Sequence, residues 1–297
     1  MTLRSLLRKG LVALAGLIAL GALAVAGLVW RGEQLRLRQV ALPPIPAAPA
    51  YTDDAPARAR GAYLYASRGC GDCHGANGAG RSFVDDGKGF KLAGPAIHSG
   101  AGSVTLAYTP QDWARVIRHG VKPNGQPAMV MPSEDYNRLT DADLAAIVAH
   151  TRALPGAGGG AAVINLPPPV RVLYGAGAIK DAAAKIDHTL PTQQPVPEGV
   201  SVEHGRYVAQ ACKGCHGTEL HGGPVPGGPP DWPPAARLTR GEGSVMAAQY
   251  AEADALLKLF RTGKRADGSA VRVMPFEALG QMSETDIRAL HLYLRSL

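Results

Sequence analysis

Two short motifs, each a pair of cysteines followed at once by a histidine, constrain this chain more than any other feature. The pattern C-x-x-C-H occurs at residues 70–74 and again at residues 212–216, and the two copies contain all four cysteines of the 297-residue chain. Cysteines three positions apart on one helical turn lie on the same side, so both sulfurs can bond to one porphyrin. The next histidine can then bind the porphyrin iron. The motifs predict two covalently bound haem c groups.

The cysteines and histidines of the two motifs are predicted to hold these groups: Cys70, Cys73, His74, Cys212, Cys215 and His216. The alternatives are a disulfide in each pair, a thioredoxin-like redox pair, or a four-cysteine zinc site. The two pairs lie in opposite halves of the chain, which disfavours a zinc site, since such a site usually brings close pairs together. Neither motif follows a predicted strand, as a thioredoxin motif would. Haem attachment is therefore the favoured interpretation.

Each iron also has a candidate ligand for its opposite face. Met131-Pro132 follows His74 at almost the same interval at which Met274-Pro275 follows His216. The residue before a proline is disfavoured in helices, so a loop can carry each sulfur across the haem. Methionine is a common second axial ligand in cytochromes c. We predict Met131 and Met274 as the iron ligands. Weaker rivals are Met129 for the first iron and, for the second, Met246 and Met282.

The chain is an internal duplication. The cysteine motif recurs from position 70 to position 212, and the Met-Pro pair recurs at nearly the same interval, from position 131 to position 274. We predict three helices in each repeat. The first leads into the motif (57–69 and 202–211), the second lies in the middle (109–119 and 251–262), and the last follows a hydroxyl N-cap, Thr140 or Ser283, with acidic residues in its first turn. The fold class is predicted to be all-α.

The predicted organisation follows from these repeats and the segments between them. Its parts are residues 1–31 as a transmembrane anchor or signal sequence, 32–56 as a proline-rich spacer, 57–155 as the first domain, 156–200 as a linker, and 201–297 as the second domain. The middle of the linker contains apolar residues such as Tyr174 and Ile179. It is either packed on the domains or disordered, given its Gly/Pro-rich flanks.

Each repeat resembles a class I cytochrome c domain, and the pair is similar to the membrane-bound dihaem cytochromes c of bacteria, in particular the cytochrome subunits of periplasmic dehydrogenases. The resemblance is carried by the two cysteine motifs, by Gly61 and Gly205 in the preceding helices, by the Met-Pro pairs and by residues 292–297. Two features depart from that pattern. Such subunits usually carry three haem motifs, and His150 stands where the second repeat has Tyr293.

The N-terminal segment indicates that the rest of the chain is exported from the cytoplasm. Residues 11–30 form an uncharged apolar run, preceded by basic residues at positions 4, 8 and 9. A run of this length suits a helix that spans a bilayer, with the N-terminus inside. A cleaved signal sequence with a site near residues 24–26 is the alternative. With the resemblance, this segment implies a single-pass protein of the bacterial inner membrane whose haem domains lie in the periplasm.

The expected function is electron transfer rather than enzymatic catalysis. The resemblance implies a dihaem carrier between a dehydrogenase or quinol-oxidising complex and a soluble cytochrome or terminal oxidase. A tightly bound subunit of an oxidoreductase and, less favoured, a dihaem peroxidase are the alternatives. The formal net charge of +7 is lowered by the haem propionates and lies partly beside the apolar run, so it does not indicate a nucleic-acid partner.

Overall fold

A computed structural model describes residues 3–44, 51–229 and 231–297 of the chain. The regular secondary structure of these residues is mainly helical. In chain order the helices are α1 (Leu3–Leu37), α2 (Ala55–Ser67), α3 (Cys70–His74), α4 (Pro110–His119), α5 (Ser133–Tyr136), α6 (Asp141–Ala153), α7 (Pro168–Ala176), α8 (Val202–Val208), α9 (Lys213–His216), α10 (Val245–Ala248), α11 (Ala253–Thr262), α12 (Phe276–Leu279) and α13 (Glu284–Ser296). Short 3-10 turns lie at Ala183–Lys185 and Ala209–Cys212.

Helix α1 contains the predicted apolar run and extends beyond it. The stretch Leu7–Leu37 is long and apolar enough to cross a membrane, with a mean hydropathy of 2.5 in its most apolar window. Its large side chains are exposed; Leu17 and Leu23, for example, are 67% and 69% exposed. The helix ends at Leu37 rather than at residue 31, the predicted end of the segment. A membrane anchor and a signal sequence share this composition.

The C-terminal part of α1 packs closely against α7 in the linker. A Cβ atom at Gly175 would overlap the carbonyl oxygen of Leu28, so a glycine is needed where the two helices cross. Just beyond the crossing, the Asp181 carboxylate accepts hydrogen bonds from Arg38 Nη1 at 2.5 Å and from the Tyr174 hydroxyl at 2.7 Å. Asp181 is 1% exposed. The linker is therefore packed against α1 and the residues that follow it in this region.

The same part of the linker also contacts the first repeat. The Ala182 amide donates to the Ala128 carbonyl at 3.0 Å, and Lys185 Nζ lies 2.7 Å from Glu134 Oε1. These contacts join α1, the linker and the first repeat into one packed unit.

Each repeat is built around one close helix crossing. Helix α2 crosses α6 at Gly61, where a Cβ atom would overlap the carbonyl oxygen of Ala146. Helix α8 crosses α13 in the same way, with Gly205 against Ala289. Apolar side chains of the middle helices, α4 and α11, complete the two cores; they include Trp113 at 3% exposure. The predicted N-caps are confirmed, since the hydroxyls of Thr140 and Ser283 accept hydrogen bonds from backbone amides of the first turns.

The structure adds a small antiparallel sheet to the all-α fold that the sequence predicts. Strand β1 (Ser82–Asp85) pairs with β2 (Lys91–Ala93), and β2 pairs with β3 (Val163–Asn165) from the linker. The turn between β1 and β2 is closed by the Asp86 carboxylate, which accepts from the amides of Lys88 and Phe90. Strands this short show too few residues for an alternating pattern, which is why the sequence did not reveal them.

The predicted spacer, residues 32–56, contains helix at both ends. Helix α1 continues to Leu37, and α2 begins at Ala55 with the Asp54 carboxylate as its N-cap. Between these helices, residues 45–50 lie outside the described residues. The Val40 amide donates to the Gly125 carbonyl at 2.9 Å, so the chain after α1 runs along the first repeat.

Candidate functional site

The first cysteine motif forms the short helix α3, directly after the close crossing of α2. Cys70 and Cys73 are free thiols and are partly buried. The His74 ring is fixed by its Nδ1 atom, which lies 2.9 Å from the carbonyl oxygen of Pro95 and donates to it. This bond leaves Nε2 as the nitrogen with a lone pair, the atom that binds a metal. Burial lowers the pKa of His74, which favours the neutral ring that binds a metal.

The second motif repeats this arrangement. Cys212 and Cys215 are free thiols, and Cys215 is exposed. His216 Nδ1 lies 2.8 Å from the carbonyl oxygen of Ala236, which again leaves Nε2 for a ligand. Pro95 and Ala236 follow their histidines by 21 and 20 residues, so the two rings are held by equivalent loops.

The state of the thiols disfavours a redox-active cysteine pair. Burial raises the pKa of Cys70 to about 12 and that of Cys212 to about 12. A thioredoxin-like motif instead lowers the pKa of its reactive thiol toward or below neutrality. Free thiols held one helical turn apart, each pair beside an oriented histidine, fit covalent attachment of a haem.

The two predicted methionine ligands lie on equivalent loops. Met131 and Met274 each precede a proline that is the N-cap of a four-residue helix, α5 or α12. Both are partly buried and pack against the core of their own repeat. The rivals for the second iron, Met246 and Met282, are core residues at 3% and 4% exposure. The residues present therefore fit two haem groups, each with a histidine and a nearby methionine loop; the assignment of these ligands stays a prediction.

His119 occupies a different environment from the methionines. Its Nδ1 atom lies 3.1 Å from Nδ1 of His188 in the linker, and the two rings are 5.3 Å apart. Burial lowers the pKa of His119 to about 4, with the neighbouring His188 acting in the same direction. This pairing places His119 in the contact between the linker and the first repeat.

Comparisons with known proteins agree with this geometry. Residues 56–150 match the family described as cytochrome c oxidase, cbb3-type, subunit III, and residues 202–297 match the family described as cytochrome c. Both halves of the chain are cytochrome c domains. A 103-residue stretch is also 30% identical to the fructose dehydrogenase cytochrome subunit of Gluconobacter japonicus. The match covers 32% of this chain and 21% of that relative, so the chain spans about a fifth of the relative's length.

The two cytochrome c domains pack against each other through equivalent residues. The Tyr63 hydroxyl of the first domain donates to Asp286 Oδ2 of the second at 2.6 Å. The Tyr207 hydroxyl of the second domain donates to Asp143 Oδ2 of the first, also at 2.6 Å. Because each tyrosine lies on the helix before a haem motif and each aspartate on a terminal helix, the interface is built twice from the same parts. This repetition indicates an approximate twofold relation between the domains.

The two aspartates differ in what else they bind. Asp143 accepts from Arg60 Nε at 2.9 Å within its own domain. Asp286 is fully buried; its carboxylate lies 2.7 Å from His204 Nε2 and accepts from Arg68 Nη2 of the first domain at 2.9 Å. Burial alone would raise the pKa of Asp286, but its hydrogen bonds and the arginine charge hold that pKa well below its usual range.

The sequence did not reveal this role of the aspartates. It predicts both only as acidic residues in the first turn of a helix, and that assignment is correct but incomplete. Tyr63 and Tyr207 occupy equivalent positions of the two repeats, and so do Asp143 and Asp286. Recurrence marks these positions as shared by the repeats, but it does not tell which partner each side chain meets.

The buried carboxylate of Asp286 predicts a loss of stability in acid. Its pKa lies below the ordinary value of 3.8 in the folded chain, so its stabilisation is fully present above pH about 4. It is lost progressively as the pH falls below that value toward the folded-state pKa. We expect the unfolding free energy of the Asp286→Asn variant to fall less steeply than that of the wild type between about pH 4 and pH 2. Urea unfolding across this range measures the two slopes, and parallel curves would contradict the assignment.

The methionine loops also cross the interface. In the second domain, Ala278 of α12 is buried against Gly69, the residue before the first haem motif. In the first domain, Asp135 of α5 accepts a hydrogen bond from the amide of Gly214, inside the second haem motif, at 2.7 Å. Each domain thus places its methionine loop against the haem motif of the other domain. Asp135 was not among the predicted site residues.

Proposed function

We propose that this chain is a membrane-tethered dihaem electron-transfer protein of the bacterial periplasm. It would pass single electrons between a dehydrogenase or quinol-oxidising complex and a downstream cytochrome or oxidase. The observation that carries the proposal is the pair of cysteine motifs, each with a histidine oriented by a backbone carbonyl, which meet the opposite domain at one interface. The match to a cytochrome subunit of a dehydrogenase supports a redox partner of that class.

The proposed roles of the site residues follow from their chemistry. Cys70 and Cys73 would hold one haem through thioether bonds, and Cys212 and Cys215 would hold the other. When bound, haem c would supply an iron that takes up and releases one electron. His74 and Met131 would bind that iron in the first domain, and His216 and Met274 would bind it in the second.

We further propose residues 57–155 and 201–297 as the two domains, joined by the linker 156–200. The anchor would be residues 1–31, with the haem domains on the periplasmic side of the inner membrane. Cleavage after residue 26 would keep the part of α1 that packs on α7, so this packing does not bear on the choice between an anchor and a cleaved signal sequence; the retained anchor is proposed from the length of the apolar stretch Leu7–Leu37. In this arrangement the first domain contacts the end of the membrane helix, and the linker packs against both.

A second candidate function is that of a stable cytochrome subunit within a multi-subunit oxidoreductase. The similarity to the fructose dehydrogenase cytochrome subunit of Gluconobacter japonicus favours it. Purification from detergent-extracted membranes separates the two possibilities, since a partner present in constant stoichiometry supports the subunit and a chain that purifies alone supports the free carrier. A dihaem peroxidase is less favoured, because it needs a releasable axial site and both domains offer a methionine loop.

Spectroscopic redox titration of the extracted protein tests the proposal as a whole. We expect two haems per chain, each accepting one electron reversibly. A protein with fewer than two haems, or rapid consumption of peroxide with an artificial donor, would contradict it.

The ligand assignment predicts a separate spectroscopic result. Met131→Ala and Met274→Ala should each remove the ferric methionine–iron absorption of one haem, which is about half of the total signal. Met129→Ala is the matched control, because it lies two positions before Met131 without the following proline and should keep the full absorption. If Met129→Ala loses the signal and Met131→Ala retains it, the assignment in the first domain is wrong.

A further inference from the structure

The two haem motifs differ in where their nearest acidic side chain comes from. The first motif contains Asp72 at its third position, and the second has Gly214 at the equivalent position. The methionine loops differ in the opposite sense. Asp135 lies in the loop of the first domain, and the equivalent residue of the second domain is Ala278. At this pair of positions, the carboxylate beside the first motif is therefore its own, and the carboxylate beside the second comes from the other domain.

The contact between Asp135 and Gly214 is close and specific. Asp135 Oδ1 accepts from the Gly214 amide at 2.7 Å. A Cβ atom at Gly214 would lie 2.8 Å from both carboxylate oxygens, so the glycine leaves the space that the carboxylate fills. At the other motif, the Ala278 methyl group lies 3.6 Å from the position that a Cβ atom would take at Gly69. The loop of the first domain thus places a carboxylate against the second motif, and the loop of the second domain places a methyl group beside the first motif.

The groups around Asp135 determine the pH at which its carboxyl group becomes charged. The ionisable groups that face it are Tyr136 and Glu134 on its own helix and Lys185 from the linker. The sulfurs of Cys212 and Cys215 also lie near it, and they would carry no charge once bound to haem as thioethers. Glu134 is itself paired with Lys185 at 2.7 Å, which partly cancels both charges. Burial raises the pKa of Asp135 to about 8, and the hydrogen bond from Gly214 opposes that shift. The carboxyl therefore changes charge close to physiological pH, beside the second haem motif.

We propose that Asp135, a side chain of the first domain, sets the reduction potential of the haem in the second domain and couples that potential to proton uptake. The inference rests on the proposed electron-transfer function. An ionised carboxylate stabilises the ferric iron, which carries one more positive charge than the ferrous iron. On one-electron reduction of the bound haem by the donor protein or by a reduced mediator dye, the Asp135 carboxylate would take up protons from water, on average about half a proton per electron between pH 7 and pH 9. No bond to the haem forms or breaks.

Potentiometric titration of the dihaem protein at several pH values tests this coupling. For the wild type we expect the ratio of oxidised to reduced second haem, at a fixed potential, to rise about tenfold between pH 7 and pH 9. For a one-electron couple, this tenfold change corresponds to a fall of about 59 mV in the reduction potential of the second haem. Asp135→Asn keeps an oxygen that accepts from Gly214 but has no charge, so its second haem should show no such change. The first haem, whose motif carries its own Asp72, serves as the internal comparison, because its pH dependence should be the same in Asp135→Asn as in the wild type.

Two further variants separate charge from structure. Gly214→Ala retains Asp135 but displaces its carboxylate, and we expect it to weaken the pH dependence while the haem content stays at two. Asp86→Asn removes an exposed carboxylate of the first domain and should leave both potentials unchanged. An Asp135→Asn profile that follows the wild type would overturn the inference and leave the proposed function intact. A wild type with fewer than two reversible haems would instead contradict the proposed function.

Discussion

The Asp286→Ala variant is expected to lose about 3–5 kcal/mol of unfolding free energy, which is the range for removing one partner of a buried ion pair. The reason is that Asp286 neutralises Arg68, whose side chain is 5% exposed, at a distance of 2.9 Å. Without the carboxylate, the guanidinium stays buried beside the polar groups of His204 and Tyr63, which lose the same acceptor. Urea unfolding of the haem-loaded protein, followed by far-ultraviolet circular dichroism, measures the loss.

Asp254→Ala is the matched control for this variant. Asp254 also pairs with an arginine, Arg288, at 2.7 Å, but its side chain is 79% exposed. Exposed ion pairs contribute at most about 1 kcal/mol, so its unfolding midpoint should stay close to that of the wild type. If the two variants unfold at the same urea concentration, Asp286 does not stabilise the domain interface in the way inferred from its contacts.

Local features of the fold could be predicted from the sequence because they depend on neighbouring residues. The terminal helices begin where the hydroxyl caps of Thr140 and Ser283 predicted them to begin. The middle helix α4 begins one residue after the predicted start, at Pro110, because Thr109 is its N-cap. Such signals are short-range, since an N-cap acts on amides two or three positions away. The family of each domain followed from the cysteine motifs in the same way.

Features that depend on distant residues could not be predicted. Strand β3 pairs with β2 although most of the first domain lies between them in sequence, and its short span carries no pattern of its own. The pairing of Tyr63 with Asp286 joins positions 223 residues apart. Asp135 is a further case, because its contact with Gly214 depends on how the two domains are docked. Tyr63, Asp286 and Asp135 lie outside the motifs, yet they form contacts between the two domains.

Gly61→Ala is expected to destabilise the first domain by about 1–3 kcal/mol, the usual range for overpacking a core. The sign is informative, because alanine in a helix is favoured over glycine by about 1 kcal/mol when only backbone propensity matters. Here the added Cβ atom would overlap the carbonyl oxygen of Ala146 and lie 2.7 Å from the His150 Cβ atom, so α2 and α6 must move apart. Thermal unfolding of the haem-loaded protein measures the difference.

Gly205→Ala should show the same effect in the second domain, since its Cβ atom would overlap the carbonyl oxygen of Ala289. Gly160→Ala is the control, because that position has open space around it and no left-handed backbone. Separation of α2 from α6 also displaces Tyr63 and Asp143, which lie on these helices and bind the opposite domain. A stabilised Gly61→Ala variant would mean that the crossing is looser than its contacts indicate. A destabilised Gly61→Ala variant would link the stability of the domain to the contact between the two domains, because α2 and α6 contribute to both the core and the interface.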